Sequence, residues 1–132
     1  MNGNEMTSEQ IVIAFCEAWE RSDLEAILGM LASDVDYQNV PAPAMIGREA
    51  VREFIAPLIA ATTKIEFIMK AIGVSADGST ILTERIDKLH YGEQVVVLPL
   101  MGIFVVKDGL ISQWRDYADS ASVNEQFAQL SN

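Results

Sequence analysis

Three short stretches of this sequence concentrate side chains that could do chemistry. Tyr37 and Asn39 stand two apart, as do Arg85 and Asp87, and Asp116 follows Trp114 at the same spacing. In an extended chain each such pair shares a face, because strand side chains alternate. Two carboxylates and a guanidinium are the material of general acid–base catalysis; an Arg and an Asp two apart on a strand equally make a solvated salt bridge. Asp116 alone could be a residue that ends a strand, and Tyr37 with Asn39, just before Pro41, could be a rim tyrosine and a turn. Alternation leaves the choice open. Arg85 and Asp87 travel with Ile81 and Leu89, but the other face carries Leu82 and Ile86 beside Glu84 and Lys88. The remaining reactive groups offer less. His90 precedes Tyr91-Gly92 and reads as an exposed turn residue, Cys16 reads as a small hydrophobe in a helical stripe, and the six Met read as core filling. There is no glycine-rich phosphate loop and no Ser/His/Asp set.

The elements that must position these residues follow from periodicity. Thr7 and Gln10 have the spacing of a capping box, and Ile11, Phe15, Ala18 and Trp19 continue at helical intervals to about Glu20. Ser22 with Glu25 repeats the capping pattern, Asp23 adds charge favoured at a helix start, and Leu24, Ile27, Leu28 and Leu31 form a second stripe. Residues 35–40 read as a strand stopped by Pro41 and Pro43. After Gly47, Val51, Phe54, Ile55, Leu58 and Ile59 share a third helical face that Pro57 should kink or shorten. From residue 64 the period falls to two, and Asp77-Gly78, Tyr91-Gly92 and Asp108-Gly109 cut the chain into strands over 65–74, 80–90, 94–106 and 110–117. Pro99 and Gly102 predict a bulge or bend in the third of these. Residues 123–130 can close the chain with a short helix. Helices followed by an antiparallel run predict an α+β domain with helices packed on one side of a curved sheet.

With 132 residues, 50% of them hydrophobic, the whole chain, 1–132, is expected to form one domain with its own core. Its net charge of −10 argues against nucleic acid and anionic membrane surfaces as partners. One Cys and one His make neither a disulfide nor a Cys/His zinc site, so no metal is expected and a reducing cytoplasm fits. Met1 to Gln10 lacks the basic and apolar regions of a secretory signal, and no apolar run approaches ~18 residues.

Tyr37-Gln38-Asn39-Val40-Pro41, Thr83-Glu84-Arg85-Ile86-Asp87 and Trp114-Arg115-Asp116-Tyr117 together resemble the limonene-1,2-epoxide hydrolase family. The resemblance runs from about Leu24 to Tyr117 and includes Gly47-Arg48-Glu49-Ala50-Val51 and Gly102-Ile103-Phe104. It implies the cone-shaped α+β fold shared with ketosteroid isomerases and nuclear transport factor 2, in which a curved mixed sheet and helices enclose a deep pocket. It places Arg85 and Asp87 in that pocket. By the same resemblance, Asp116 takes a proton from the attacking water, Tyr37 and Asn39 hold that water, Asp87 donates to the epoxide oxygen, and Arg85 lies between the carboxylates. It also implies Leu58, Leu98 and Leu100 as walls, beside Leu89, which the alternation already puts on the face of Arg85 and Asp87.

The implied chemistry makes sense of these residue types. Two aspartates near an ordinary pKa of ~3.9 would both be ionised at neutral pH, and neither could donate. Apolar surroundings raise a carboxyl pKa and the permanent charge of Arg85 lowers it, so the pair is expected to hold one negative charge and one shared proton. The expected reaction is a one-step displacement by water, with no covalent intermediate and no cofactor, on a small apolar epoxide. Two other readings belong to the same fold: a proton-transfer isomerase or polyketide cyclase using Asp116 and Tyr37, and a ligand-binding module without catalysis. A homodimer through the outer sheet face is expected, with Val95, Val97 and Val105 as candidate contacts.

Overall fold

Thr7 does cap the first helix. In a computed structural model, its side chain accepts from the Gln10 backbone N–H at 3.1 Å, while the Gln10 side chain accepts from the Thr7 N–H at 2.9 Å. The structure describes residues 5–130; Met1 to Asn4, the start of the segment read as lacking a signal, and Ser131 and Asn132 lie outside the described residues. The elements are α1 (Ser8–Glu20), α2 (Leu24–Gly29), β1 (Leu31–Val40), β2 (Met45–Ile46), α3 (Arg48–Ala61), β3 (Lys64–Val74), β4 (Thr80–Tyr91), β5 (Gln94–Lys107), β6 (Leu110–Ala118) and α4 (Ser120–Gln129). One sheet has the order β2-β1-β6-β5-β4-β3, with β1 and β6 parallel and the other neighbours antiparallel.

Several boundaries differ from the sequence reading. Ser22 cannot cap α2, because it sits at φ 55 in the left-handed region; Asp23 caps instead, accepting from Ala26 N–H at 3.1 Å. Leu31 is not a helical residue. Its carbonyl receives both Nε and Nη2 of Arg48, the latter at 2.6 Å, and this contact from α3 accompanies the start of β1 four residues earlier than alternation suggested. Pro57 does not shorten α3, which continues to Ala61: Pro57 and Glu53, whose carbonyl lacks its usual donor, both face solvent. The short β2 was not foreseen. His90 belongs to β4, where its Nε2 lies 2.7 Å from Glu66, so it is not an exposed turn residue. Among the described residues, core filling holds only in part for the methionines: Met30, Met45 and Met69 are partly buried and pack against the core, whereas Met6 and Met101 are exposed.

The expected bulge at Pro99 and Gly102 is also absent, since β5 pairs with β4 without interruption from Thr80↔Val105 to Tyr91↔Gln94. Pro99 is accommodated because pairing with β6 begins only at Leu100, so no strand on that side needs its missing donor. The register shifts fall elsewhere, at Lys70, at Ser112 and between Leu31 and Asp36.

The core lies between the sheet and the helices, built from Val12, Phe15 and Trp19 of α1, Ile27 and Leu28 of α2, Val51 and Ile55 of α3, and sheet residues such as Ile81, Phe104, Ile111 and Trp114. Burial of this apolar surface is the dominant favourable term in holding the layers together. Cys16 is part of it, its thiol pushed up to about 12 by burial, and it behaves as the small hydrophobe expected. The opposite sheet face leaves Ile68, Leu82, Val95, Val97, Met101 and Tyr117 exposed, while Val105 is half-buried.

Candidate active site

Strand register decides which polar residues meet. Across the helix-covered face, Tyr37, Trp114, Phe104 and Ile81 are successive partners on β1, β6, β5 and β4; two residues along, Asn39, Asp116, Gly102 and Thr83 form the next row. Arg85 pairs with Leu100 in the row beyond, and Asp87 with Leu98 and Phe67 in the one after. Because strands alternate, all of these point to the same side. The ambiguity on β4 is resolved: Thr83, Arg85, Asp87 and Leu89 are buried, whereas Leu82 and Glu84 are exposed.

Arg85 is 1% exposed, Asp87 4% and Asp116 7%. The Arg85 guanidinium holds Asp87 side-on, Nε to Oδ1 at 3.0 Å and Nη2 to Oδ2 at 2.9 Å. The same Nη2 reaches Asp116, 3.3 Å from Oδ1 and 3.4 Å from Oδ2, and Nη1 donates to Thr83 Oγ1 at 3.0 Å. One nitrogen thus touches both acids. The guanidinium lies over Phe67 and Phe104, 5.0 and 5.6 Å from their ring centroids, so its faces are covered while its edges make the hydrogen bonds. Asp116 Oδ1 also accepts from Trp114 Nε1 at 3.0 Å, and that indole stacks on Tyr37 at 3.9 Å and on Phe104 at 5.8 Å. The Tyr37 hydroxyl accepts from Asn39 Nδ2 at 3.0 Å and lies 3.2 Å from Asn39 Oδ1.

The electrostatics follow from burial. Desolvation pushes Asp87 up to about 6 against the hydrogen bond and charge of Arg85, and it raises Asp116 against Arg85 and the Trp114 N–H. Burial by itself would lower Arg85, but Asp116 and Asp87 more than offset it and the guanidinium stays charged. Burial, reinforced by Asp116, keeps the Tyr37 phenol protonated. A buried cation between two acids of raised pKa favours one net negative charge on the pair, because a second would have nothing left to balance it.

These groups floor a cavity of about 500 Å³. Tyr37, Asn39, Asp87 and Asp116 line it, and all four leucines of the sequence reading, Leu58, Leu89, Leu98 and Leu100, form part of its walls. Arg85 is not among the lining residues and lies behind the acids it holds. Sequence reasoning missed Thr83, Trp114 and Phe67 as partners of the acids and the arginine. Thr83 and Trp114 carried a signal, since each stands two residues from a charged group on the same face. It missed Phe54 on α3 and the α4 residues Val123, Asn124 and Phe127 at the cavity as well, because nothing in the period of α4 says where that helix docks.

Comparison with known proteins identifies the family and the fold. A family model described as limonene-1,2-epoxide hydrolase catalytic domain matches residues 6–129. Epoxide hydrolase EphG of Mycobacterium tuberculosis is 33% identical over 108 residues, covering 82% of this chain and 70% of the relative. The solved structure of a limonene-epoxide-hydrolase-like epoxide hydrolase from M. tuberculosis superposes with a TM-score of 0.79 at 30% identity, covering 92% of this chain and 90% of that one. An NTF2-like protein of unknown function from Cytophaga hutchinsonii, at 12% identity, has a TM-score of 0.77 with 93% and 99% coverage, which speaks to the fold alone.

Proposed function

We propose that this chain, which belongs to the limonene-1,2-epoxide hydrolase family, adds water in one step to a mainly apolar epoxide, through general acid–base catalysis by Asp116 and Asp87. It is an epoxide hydrolase of that type; the roles of its residues and its choice of substrate are our reading. The observation that carries the reading is the single Arg85 nitrogen touching two buried carboxylates on the floor of a largely apolar cavity.

In the reactive microstate Asp116 is ionised and Asp87 protonated. Asn39 is the register neighbour of Asp116, and Tyr37 lies one row away, so the water to be deprotonated sits among these three. Asp116 removes its proton as the oxygen attacks a ring carbon. The bond from that same carbon to the ring oxygen, on the side away from the incoming water, breaks, and Asp87 protonates the departing oxygen before alkoxide charge accumulates. Both hydroxyls of the diol are then neutral, and one proton has moved between the acids. Arg85 keeps the total charge of the pair constant while its distribution changes, and a buried, pre-oriented guanidinium needs no reorganisation to do so. Every step is carried by side chains, so the reading calls for no metal or organic cofactor.

The leucine and aromatic walls favour an apolar substrate, cyclic or terpenoid in size for this cavity. A homodimer through the outer sheet face belongs to the same reading, supported by the exposed Leu82, Val95, Val97 and Met101. Single-turnover hydration of a panel of cyclic epoxides in ¹⁸O-labelled water tests the chemistry: label is expected in the diol from solvent. Label retained in Asp87 or Asp116 would replace this mechanism with one in which an aspartate is the nucleophile.

A further inference from the structure

Gly102 stands in the middle of β5, between Asp116 on β6 and Thr83 on β4. Glycine is a poor choice for the interior of a central strand, where it packs nothing and has the most conformational freedom to lose. Its backbone does not demand it, because the positive-φ glycines are Gly47, Gly78, Gly92 and Gly109. It marks no bulge either, since pairing runs through it on both sides.

Space explains it. A Cβ at this position would collide with Arg85 Nη1 and lie 2.6 Å from Asp116 Oδ1 and 3.0 Å from Thr83 Oγ1. None of these groups is free to retreat. Arg85 is fixed by Asp87, Thr83 and two aromatic rings, Asp116 by Trp114, and Thr83 by its own hydrogen bond to the Gly102 carbonyl at 3.1 Å. Arg85 and Asp116 belong to strands two steps apart in a sheet with a spacing of about 4.8 Å, so their contact has to cross β5.

We propose that Gly102 is a positioning residue of the reaction: the missing side chain on β5 is the gap through which the Arg85 guanidinium reaches Asp116 and joins the two carboxylates into one unit. This rests on the acid–base reading of the pair. Substituting Gly102 therefore acts through Arg85 and Asp116, without touching substrate.

The test is Gly102→Ala, with Gly73→Ala as the control, since a Cβ at Gly73 meets nothing nearer than the Leu82 Cβ at 3.9 Å. Gly102→Ala is expected to lower kcat about 100-fold with little change in KM, the scale of loss when a catalytic group is displaced by about 1 Å. It is also expected to move the limbs of the pH–rate profile to higher pH, because the acids lose part of the cation that opposes their protonation. Gly73→Ala should leave both unchanged. A folded Gly102→Ala enzyme with wild-type kcat and pH profile overturns the proposal.

A second measurement needs no substrate. The drop in melting temperature caused by Gly102→Ala should be larger in the wild type than in an Arg85→Lys background, which removes Nη1 and keeps the charge. Equal drops overturn the proposal. If Gly102→Ala alone does not fold, a folded Gly102→Ala/Arg85→Lys double variant supports it, and a double variant that fails in the same way overturns it. Wild-type protein inert toward epoxides would defeat the catalytic reading, while the thermal coupling between positions 85 and 102 would still decide the packing claim.

Discussion

At its inner end the cavity is floored by β4 and β6, whose buried acids are tied through Arg85 by charge-assisted hydrogen bonds, whereas α4, which lines its outer part, has no buried residue. Asp119 caps α4, and Gln126 fastens it to the free edge of β5, accepting from Val97 N–H at 2.7 Å and donating to Val97 O at 2.8 Å. That edge is open because β6 stops at the partner of Leu100, so one side chain takes the place of a missing strand. The two regions differ in what happens when a contact is lost. A group at the floor that loses its partner is left desolvated, at high cost, while a group on α4 finds water. The protein thus fixes its reacting groups rigidly and leaves the wall that meets the substrate's periphery comparatively free to move.

The largest expected effect tests the floor. Asp116→Asn keeps the shape and the Trp114 hydrogen bond and removes the base; kcat is expected to fall by ~10²- to 10⁴-fold, with KM within a few-fold of wild type and far-UV circular dichroism unchanged. Retained activity would break the contrast, because the floor would then not be where the chemistry occurs. Next in size, kcat/KM should follow a bell-shaped pH profile with both limbs above the ordinary aspartate range, since burial raises both acids. A rate that is flat across neutral pH would mean that the acids do not share a proton.

Stability against pH gives a smaller signal. A carboxyl whose pKa is raised on folding binds its proton more tightly in the native state, so its contribution is fully present below its ordinary value of 3.8 and is lost as pH rises through about 6. The melting temperature of the wild type, measured relative to Asp87→Asn, should therefore decline between about pH 4 and pH 7. A relative melting temperature that instead rises over this interval would show that Arg85 outweighs burial at Asp87. The smallest effect belongs to the mouth: Gln126→Ala should raise KM for bulky epoxides by less than about tenfold, the worth of one or two partly exposed hydrogen bonds, and leave kcat for small ones unaltered. A large fall in kcat would erase the distinction between floor and mouth.

Much of this could be read along the chain, for a physical reason. The α1 capping box, the four strands after residue 64 and the pairing of Arg85 with Asp87 are local or period-two features, and local sterics govern them. The bulge expected from Pro99 and Gly102 did not form, because each signal depends on its surroundings. Pro99 signals a break only where a neighbouring strand needs its donor, and Gly102 only where the backbone needs its freedom; neither condition holds. Leu31 looked helical because an apolar residue fits either pattern, and its carbonyl's contact with Arg48 comes from a later part of the fold.

The sequence by itself determined the kinds of groups available and which of them share a strand face: Tyr37 with Asn39, Arg85 with Asp87, and Trp114 with Asp116. Alternation along one strand requires that much and no more. Only the tertiary structure decided which face is covered, that Asn39, Asp116, Gly102 and Thr83 fall in one row, and that a guanidinium crosses a strand through a gap. Those facts depend on register between segments up to about 80 residues apart in the chain, and register is set by the packing of whole faces against the helices rather than by any neighbouring residue.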